Sequence, residues 1–352
     1  MVCNVCTILY VPDNFIKLIE KEVFAFIWDD RMELISRNCC YFPKCKGGIS
    51  LNEIRIKIAS LQLAQISKIV FDESEISWVD FGHFWLGIQL KRFLDYEFSN
   101  NIPHCIEELP NYYECLRDML NFIKTIDSSI VPSKGAHCKF FYLKLMNAFV
   151  KLHGLNVEKK FTDVDFSIVF ANIIDRCIDP FCLNVTFKLA HYVLPVADRL
   201  YNFGIRIDRL CSLCKHENET IEHLFLYCTH VQWSKKFLVS WLHDICQIGL
   251  SVKTVILSCF DKKISRNHLQ TILIILSEYR YCIWTARNRI RYEKKRISPF
   301  DLASMFINRI QYRILIDFQR LEECKFEMIW THDTLCKIEN GQLCYNFKIE
   351  KP

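Results

Sequence analysis

Residues 211–228 read CSLCKHENETIEHLFLYC. The pattern is C-x2-C-x8-H-x4-C, formed by Cys211, Cys214, His223 and Cys228. Two cysteines separated by two residues can grip one ion from a single turn. A histidine and a cysteine from a following helical segment can then close a tetrahedral site, and Zn²⁺ favours such thiolate and imidazole ligands. All four positions would be filled by protein, so the spacing predicts structural rather than catalytic zinc. Two other readings fit the same residues: a buried cysteine cluster, or a redox pair at Cys211 and Cys214. A redox C-x-x-C is expected at a strand–helix junction, and no such alternation surrounds this one. His216 and His230 are the fallback ligands should His223 point away. Glu217, Glu219 and Glu222 are expected to be solvated or to support the ligands from behind.

Outward from this motif the apolar spacing is helical. Val231 to Cys246 carries Trp233, Phe237 and Trp241 four residues apart, and Asn267 to about Arg296 reads as one long helix, apolar first and basic last. Upstream, helices are expected at Asn184–His191 and Ala197–Phe203, with Pro180 breaking the chain before them. Further back come helices near Phe140–Val150 and Ser167–Ile174, and another over Tyr112–Thr125. SSIVPSKG at 128–135 is the best linker candidate. Near the start, Phe15, Ile16, Ile19, Val23, Phe26 and Ile27 form one stripe after Asp13. Cys39–Pro43 reads as a strand-like link, Lys46-Gly47-Gly48 as a tight turn, and Ser50-x-x-Glu53 as a capping box opening a helix to about Val70. Low glycine (9) and proline (9) in 352 residues agree with a mainly α chain.

The 19 cysteines are an odd number in a chain long enough to build its own core. No basic leader or membrane-length apolar run stands out. Free thiols in the cytoplasm or nucleus, and no membrane partner, are therefore expected. Net charge is +5, but residues 181–300 hold 18 Lys+Arg against 9 Asp+Glu, while the remainder is net −4. Such asymmetry points to a polyanion-facing surface. Its densest part is Arg280–Arg296, with Arg280, Arg287, Arg289, Arg291, Lys294, Lys295 and Arg296 against one acid, Glu293. Tyr279, Tyr281, Trp284 and Tyr292 are interleaved. Arg199, Arg206, Arg209 and Lys215 flank the cysteine motif. Cations track phosphates and aromatics stack on unpaired bases. The competing reading makes Tyr281 and Trp284 core residues and the basic run a solvated helix end.

The stretch from Leu189 to Leu242 resembles the zinc-binding domain found C-terminal to the reverse transcriptases of LINE-type (non-LTR) retrotransposons. The likeness rests on Leu194-Pro195, Arg199-Leu200, Cys211 and Cys214, Glu219 ahead of His223-Leu224-Phe225 and Cys228, and then Trp233; Trp284-x-x-Arg287-Asn288 resembles that family's following helix. Phe26-Ile27-Trp28, Arg37, Pro43 and Gly47-Gly48-Ile49 resemble the thumb that follows a polymerase palm. The resemblance implies zinc at the four ligands, RNA or single-stranded nucleic acid as partner, and the polymerase core of a parent element as a second. A reverse transcriptase needs carboxylates for two Mg²⁺ ions. Asp29-Asp30 follows Ile27-Trp28 with the aromatic misplaced, and 28 residues ahead of it are too few for fingers and palm.

The sequence thus predicts a mainly α protein. It comprises a thumb-like helical segment (1–70), a helical connector (71–180), a small zinc-knuckle-containing basic domain (181–300) and a C-terminal helical tail (301–352). The expected function is non-catalytic nucleic-acid binding supported by structural zinc. The alternatives are an interaction remnant without nucleic-acid binding, and a metal-dependent nuclease using Asp244, Asp261 and Lys263. Nucleotide-binding glycine loops, H-E-x-x-H and G-x-S-x-G are absent from the sequence.

Overall fold

The computed structural model describes residues 11–71, 77–94, 108–126, 130–150, 155–205 and 207–348; Arg206 lies outside them. The protein is mainly α, with a single two-stranded hairpin among the described residues. It divides into two compact units, one holding the described residues of 1–42 and 49–153, the other those of 43–48 and 154–352.

In the first unit, helix Ile54–Phe71 is the axis, with Leu63, Ile66 and Ile69 wholly buried. Its N-terminus is capped by the Glu53 carboxylate, which accepts from the Ile56 N–H. Ser50, the expected cap, instead has φ +58° outside the helix. Helices Cys138–Phe149, Asn111–Ile126 and Ser77–Leu94 pack against the axis. A Cβ on Gly82 would sit 2.7 Å from an Ile69 methyl, so glycine lets the last of these approach closely. Helix Asp13–Trp28 buries Ile16 and Phe24, while Phe26 of the expected stripe is exposed. Phe24 is held by the edge of Tyr41 and by the Arg37 guanidinium over its face. The segment expected as strand-like is helix Arg37–Tyr41, started by the Ser36 side chain accepting from Cys39 N–H. Ile130, in the expected linker, is 1% exposed and anchors in this core.

The second unit is built around helix Arg266–Tyr292. Every residue from Thr271 to Arg280 is buried, as befits a helix packed on all sides. Helices Phe166–Ile173, Pro180–Ala190, Gln232–Cys246, Pro299–Arg320 and Glu323–Trp330 share one core with it. Pro180 does not break the chain but starts a helix, at its first turn behind the Asp179 cap, where a missing N–H costs nothing. The described residues after 300 are not a separate helical tail: they join this core and include the hairpin Cys336–Glu339/Gln342–Tyr345. The division between units falls near 153–154 rather than 180, because Phe166, Phe170 and Ile173 pack with the C-terminal helices. Gly47, at φ +80°, lies against Phe170 and His191, where a Cβ would come within 2.6 Å of the Phe170 ring. No disulfide joins the described cysteines, and none of the described helices is long and apolar enough to cross a membrane.

Candidate metal centre

The cysteine motif begins with a tight turn. Leu210 pairs with Asn218 as an isolated bridge, the Cys211 N–H donates to the Glu217 carbonyl, and the Lys215 N–H donates back to Cys211. Lys215 takes φ +63° to close the turn. The second half is a π-helical turn, His223–Tyr227, closed by the Cys228 N–H donating to the His223 carbonyl at 2.7 Å. Residues five apart on an α-helix point about 140° away from one another. The wider turn returns His223 and Cys228 to one side, which is the use such turns often serve at functional sites.

The four ligand atoms of Cys211, Cys214, His223 and Cys228 all lie within 4.8 Å of one another. The Cys211 and Cys228 sulfurs are 3.8 Å apart, far beyond a disulfide bond. A tetrahedron with Zn–S bonds of about 2.3 Å has sulfur–sulfur edges of about 3.8 Å, so this spacing is that of a shared ion. Cys214 Sγ stands 3.3 Å from His223 Nε2. The other ring nitrogen, Nδ1, faces a Glu217 carboxylate oxygen at 3.0 Å, which leaves Nε2 for the metal. The Cys211 thiol is held well below its ordinary range by the Cys228 S–H donating to it, against the opposing effect of burial and with help from the Leu213 and Cys214 N–H groups. Its hydrogen bond with Cys211 and burial push the Cys228 thiol up. The donor set is that of a closed structural zinc site, with three sulfurs and one imidazole and no open position. His230 is not a ligand: its Nε2 bonds the Ile297 carbonyl, and His216 is exposed.

The three glutamates have separate tasks. Glu217 orients the histidine. Glu222 accepts from Tyr192 and Lys160. Glu219 is wholly buried and organises the back of the knuckle. One of its oxygens accepts from Ala197 N–H and from Arg287 Nε and Nη2, the latter at 2.6 Å, and the other accepts from Ser212 N–H. Burial pushes its carboxyl up, but Arg287 and the two backbone donors more than offset this and hold it below the usual range.

The cations expected at a nucleic-acid surface fall into two groups. Arg280 and Arg287 have no exposed surface, which corrects their assignment as contact residues. Arg280 donates to the carbonyls of Val255 and Thr254 and to Ser258 Oγ, capping the π-helical turn Lys253–Leu257. Burial lowers its pKa to about 9. Arg291 is 15% exposed and binds Ser212 Oγ at 3.0 Å and the Asp208 carbonyl at 3.2 Å, fastening the helix end to the knuckle. Arg199 is half-buried and donates to the Tyr192 carbonyl, while Arg209 pairs with Asp198. Lys215, Arg289, Lys294, Lys295 and Arg296 are exposed, with Lys295 paired to Glu293. The helix ends at Tyr292, so the last three cations lie beyond it rather than on it. Trp284 and Tyr281 pack partly against the core, Trp284 with Arg287 over its ring. Asp244 is engaged by Thr334 through its N–H and hydroxyl, whereas Asp261 and Lys263 are exposed.

Of the two expectations for Glu219, support from behind is the one the structure shows, and its pairing with a buried arginine has a signal in the sequence. Arg280 and Arg287 are seven apart, on one helix face with Leu276 and Ile283. Two cations on an apolar face imply buried acceptors.

Residues 165–233 match the family described as zinc-binding in reverse transcriptase. No curated protein matches the chain. The matched stretch runs from the cap of helix Phe166–Ile173 through the knuckle to Trp233, and so contains all four metal ligands.

Proposed function

We propose that this chain is a non-catalytic nucleic-acid-binding segment related to the C-terminal part of a LINE-type retrotransposon polyprotein. In this reading structural zinc holds a basic surface against single-stranded RNA or a template strand. Residues 1–70 correspond to a thumb and 71–180 to a connector, and the polymerase core of a parent element is the protein partner. The observation that carries it is the attachment of the basic helix end to the knuckle through Arg291, Ser212 and Asp208. It ties the helix that leads into the exposed cations Lys294, Lys295 and Arg296 to a metal-rigidified turn that itself exposes Lys215. Exposed cations on a fixed frame neutralise phosphates without reading sequence.

The test is a mobility-shift titration of zinc-loaded protein with an unstructured oligoribonucleotide. Binding at low salt that weakens steeply as salt rises is expected. No binding at low salt would reject the proposal. Asp261→Ala should leave any incubation with Mg²⁺ unchanged, whereas Mg²⁺-dependent cleavage abolished by it would favour the nuclease alternative.

A further inference from the structure

Helices Ile54–Phe71, Asn111–Ile126 and Cys138–Phe149 of the first unit, with the start of helix Asp13–Trp28, border a cavity of about 520 Å³. That volume suits one small organic molecule, and gaps between bundled helices are common places for such a site. The lining takes Ile56, Ala59 and Gln62 from the axis helix, so the cavity extends along that helix. The Glu53 N–H donates to the Tyr142 hydroxyl, and Cys138 Sγ lies 3.2 Å from Ser60 Oγ, so helix Cys138–Phe149 runs antiparallel to the axis. Phe149 is therefore at the Glu53 end, and Phe122, whose ring stacks on it at 5.6 Å, is there too. Both of these rings are part-exposed, which makes this end the mouth. Gln62, 6% exposed, lies about two and a half turns further along the axis.

Each end holds a polar group whose bonding is incomplete. The Gln62 Oε1 is buried and has no hydrogen-bond partner, which is costly among apolar walls. Glu53 is buried and accepts the Ile56 N–H, but no ion pair engages it among the described residues. Burial pushes its carboxyl up, more than its backbone donors and Arg55 pull it down. A carboxylate has lone pairs for further donors. The other charges of the lining are taken, Arg55 by Asp13 and Asp118 by Arg117. An anionic ligand would meet repulsion from Glu53 and no open cation, whereas an ammonium would complete Glu53 and be attracted by the faces of nearby rings. The rise from Glu53 to Gln62 is about 13 Å. It is shortened because the Glu53 carboxylate folds forward to Ile56 and helical side chains lean toward the N-terminus. What remains is the length of one small molecule with a polar group at each end. We propose that this cavity binds a hydroxylated arylalkylamine, its ammonium at Glu53, its ring among the apolar walls and its hydroxyl donating to Gln62. The inference is independent of the nucleic-acid reading, which concerns the second unit.

The experiment is calorimetric titration of the full zinc-loaded chain with three molecules of similar size: tyramine, phenethylamine and 3-(4-hydroxyphenyl)propionate. Tyramine should bind tightest. Phenethylamine, which lacks the hydroxyl, should bind about tenfold more weakly, and the propionate, with an anion in place of the ammonium, more weakly still. Gln62→Leu should reduce tyramine to the affinity of phenethylamine and leave phenethylamine unchanged. The same variant should raise the thermal midpoint of the ligand-free chain, because it removes an unmet buried oxygen; a residue with a merely structural role would lower it. Glu53→Gln keeps an acceptor for the Ile56 N–H and should weaken both amines about tenfold. Equal affinity for the three molecules would overturn the proposal, as would tyramine binding that neither variant changes. No heat from tyramine at millimolar concentration would show that the cavity takes no such amine.

Discussion

Helix Arg266–Tyr292 and the residues just after it carry like charges with opposite roles. Arg280 and Arg287 have no surface in water, whereas Arg289, Lys294, Lys295 and Arg296 are exposed. The difference is angular. Residues seven apart on a helix share a face, and residues two apart point about 160° apart. Arg287 therefore turns inward with Arg280 onto the core, while Arg289 turns outward. A run of cations in sequence is two populations in space, one stabilising the fold and one available to a partner. The inner group is tolerated because Arg287 meets the Glu219 carboxylate and Arg280 donates to the Val255 and Thr254 carbonyls and Ser258 Oγ, although Arg280 Nη1 is left without a partner.

The comparison can be broken most severely at the metal. Cys211→Ser, or a strong chelator, should remove on the order of 10 kcal/mol of metal-linked folding energy from the second unit. Thermal unfolding should then show one transition collapsing and another, from the first unit with its metal-free core, unmoved. A single unshifted transition would mean that the four ligands do not bind an ion that matters.

Next in size is the buried pair. Glu219→Gln should cost about 3–5 kcal/mol by stranding the Arg287 charge. Combining it with Arg287→Met should cost clearly less than the two single changes together, because the stranded charge is gone. Strict additivity in denaturant titrations would argue that the pair is not coupled. A charge reversal at Arg287 accordingly tests folding, not binding.

A third prediction concerns pH. His191 packs between the rings of Phe170 and Phe187, and burial lowers its pKa from 6.5 to about 4. The unfolded chain takes up the proton first, so the contribution of His191 is complete above about pH 6.5 and is lost as pH falls towards 4. The loss amounts to about 3 kcal/mol. The stability difference between wild type and His191→Gln, followed by urea titration across that window, should change by about this amount. A constant difference would show that the histidine is not held neutral.

The smallest effect is expected outside. Lys294→Gln/Lys295→Gln/Arg296→Gln should leave stability within about 0.5 kcal/mol, whatever it does to nucleic-acid affinity. A larger loss in the same melts would place these cations with the inner group.

Much of this is legible in the sequence, for physical reasons that differ by residue. The helices over 111–126, 138–149 and 232–246 follow apolar spacing that few other structures can satisfy. The short helix Arg37–Tyr41 did not stand out, because five residues carry less than two turns of periodicity and its start depends on the Ser36 hydroxyl. Phe26 and Phe24 are indistinguishable by type, and only the positions of Tyr41 and Arg37 decide which is covered. Ile130 looked like linker because of its polar and proline neighbours, yet one buried isoleucine is enough to bind that segment to a core.

The sequence by itself narrowed the ligands to Cys211, Cys214, Cys228 and one of three nearby histidines, because they lie close along the chain and metal chemistry restricts which side chains can converge; the structure brings His223 to the sulfurs. It also determined the helical character of the chain, since that is a local property of spacing. Only the tertiary structure decided that the second half of the knuckle is a π-helical turn, that Glu219 locks it to Arg287, and which arginines are left facing water. Those outcomes depend on contacts between residues tens of positions apart, and burial is a property of what packs against a face, not of the face alone.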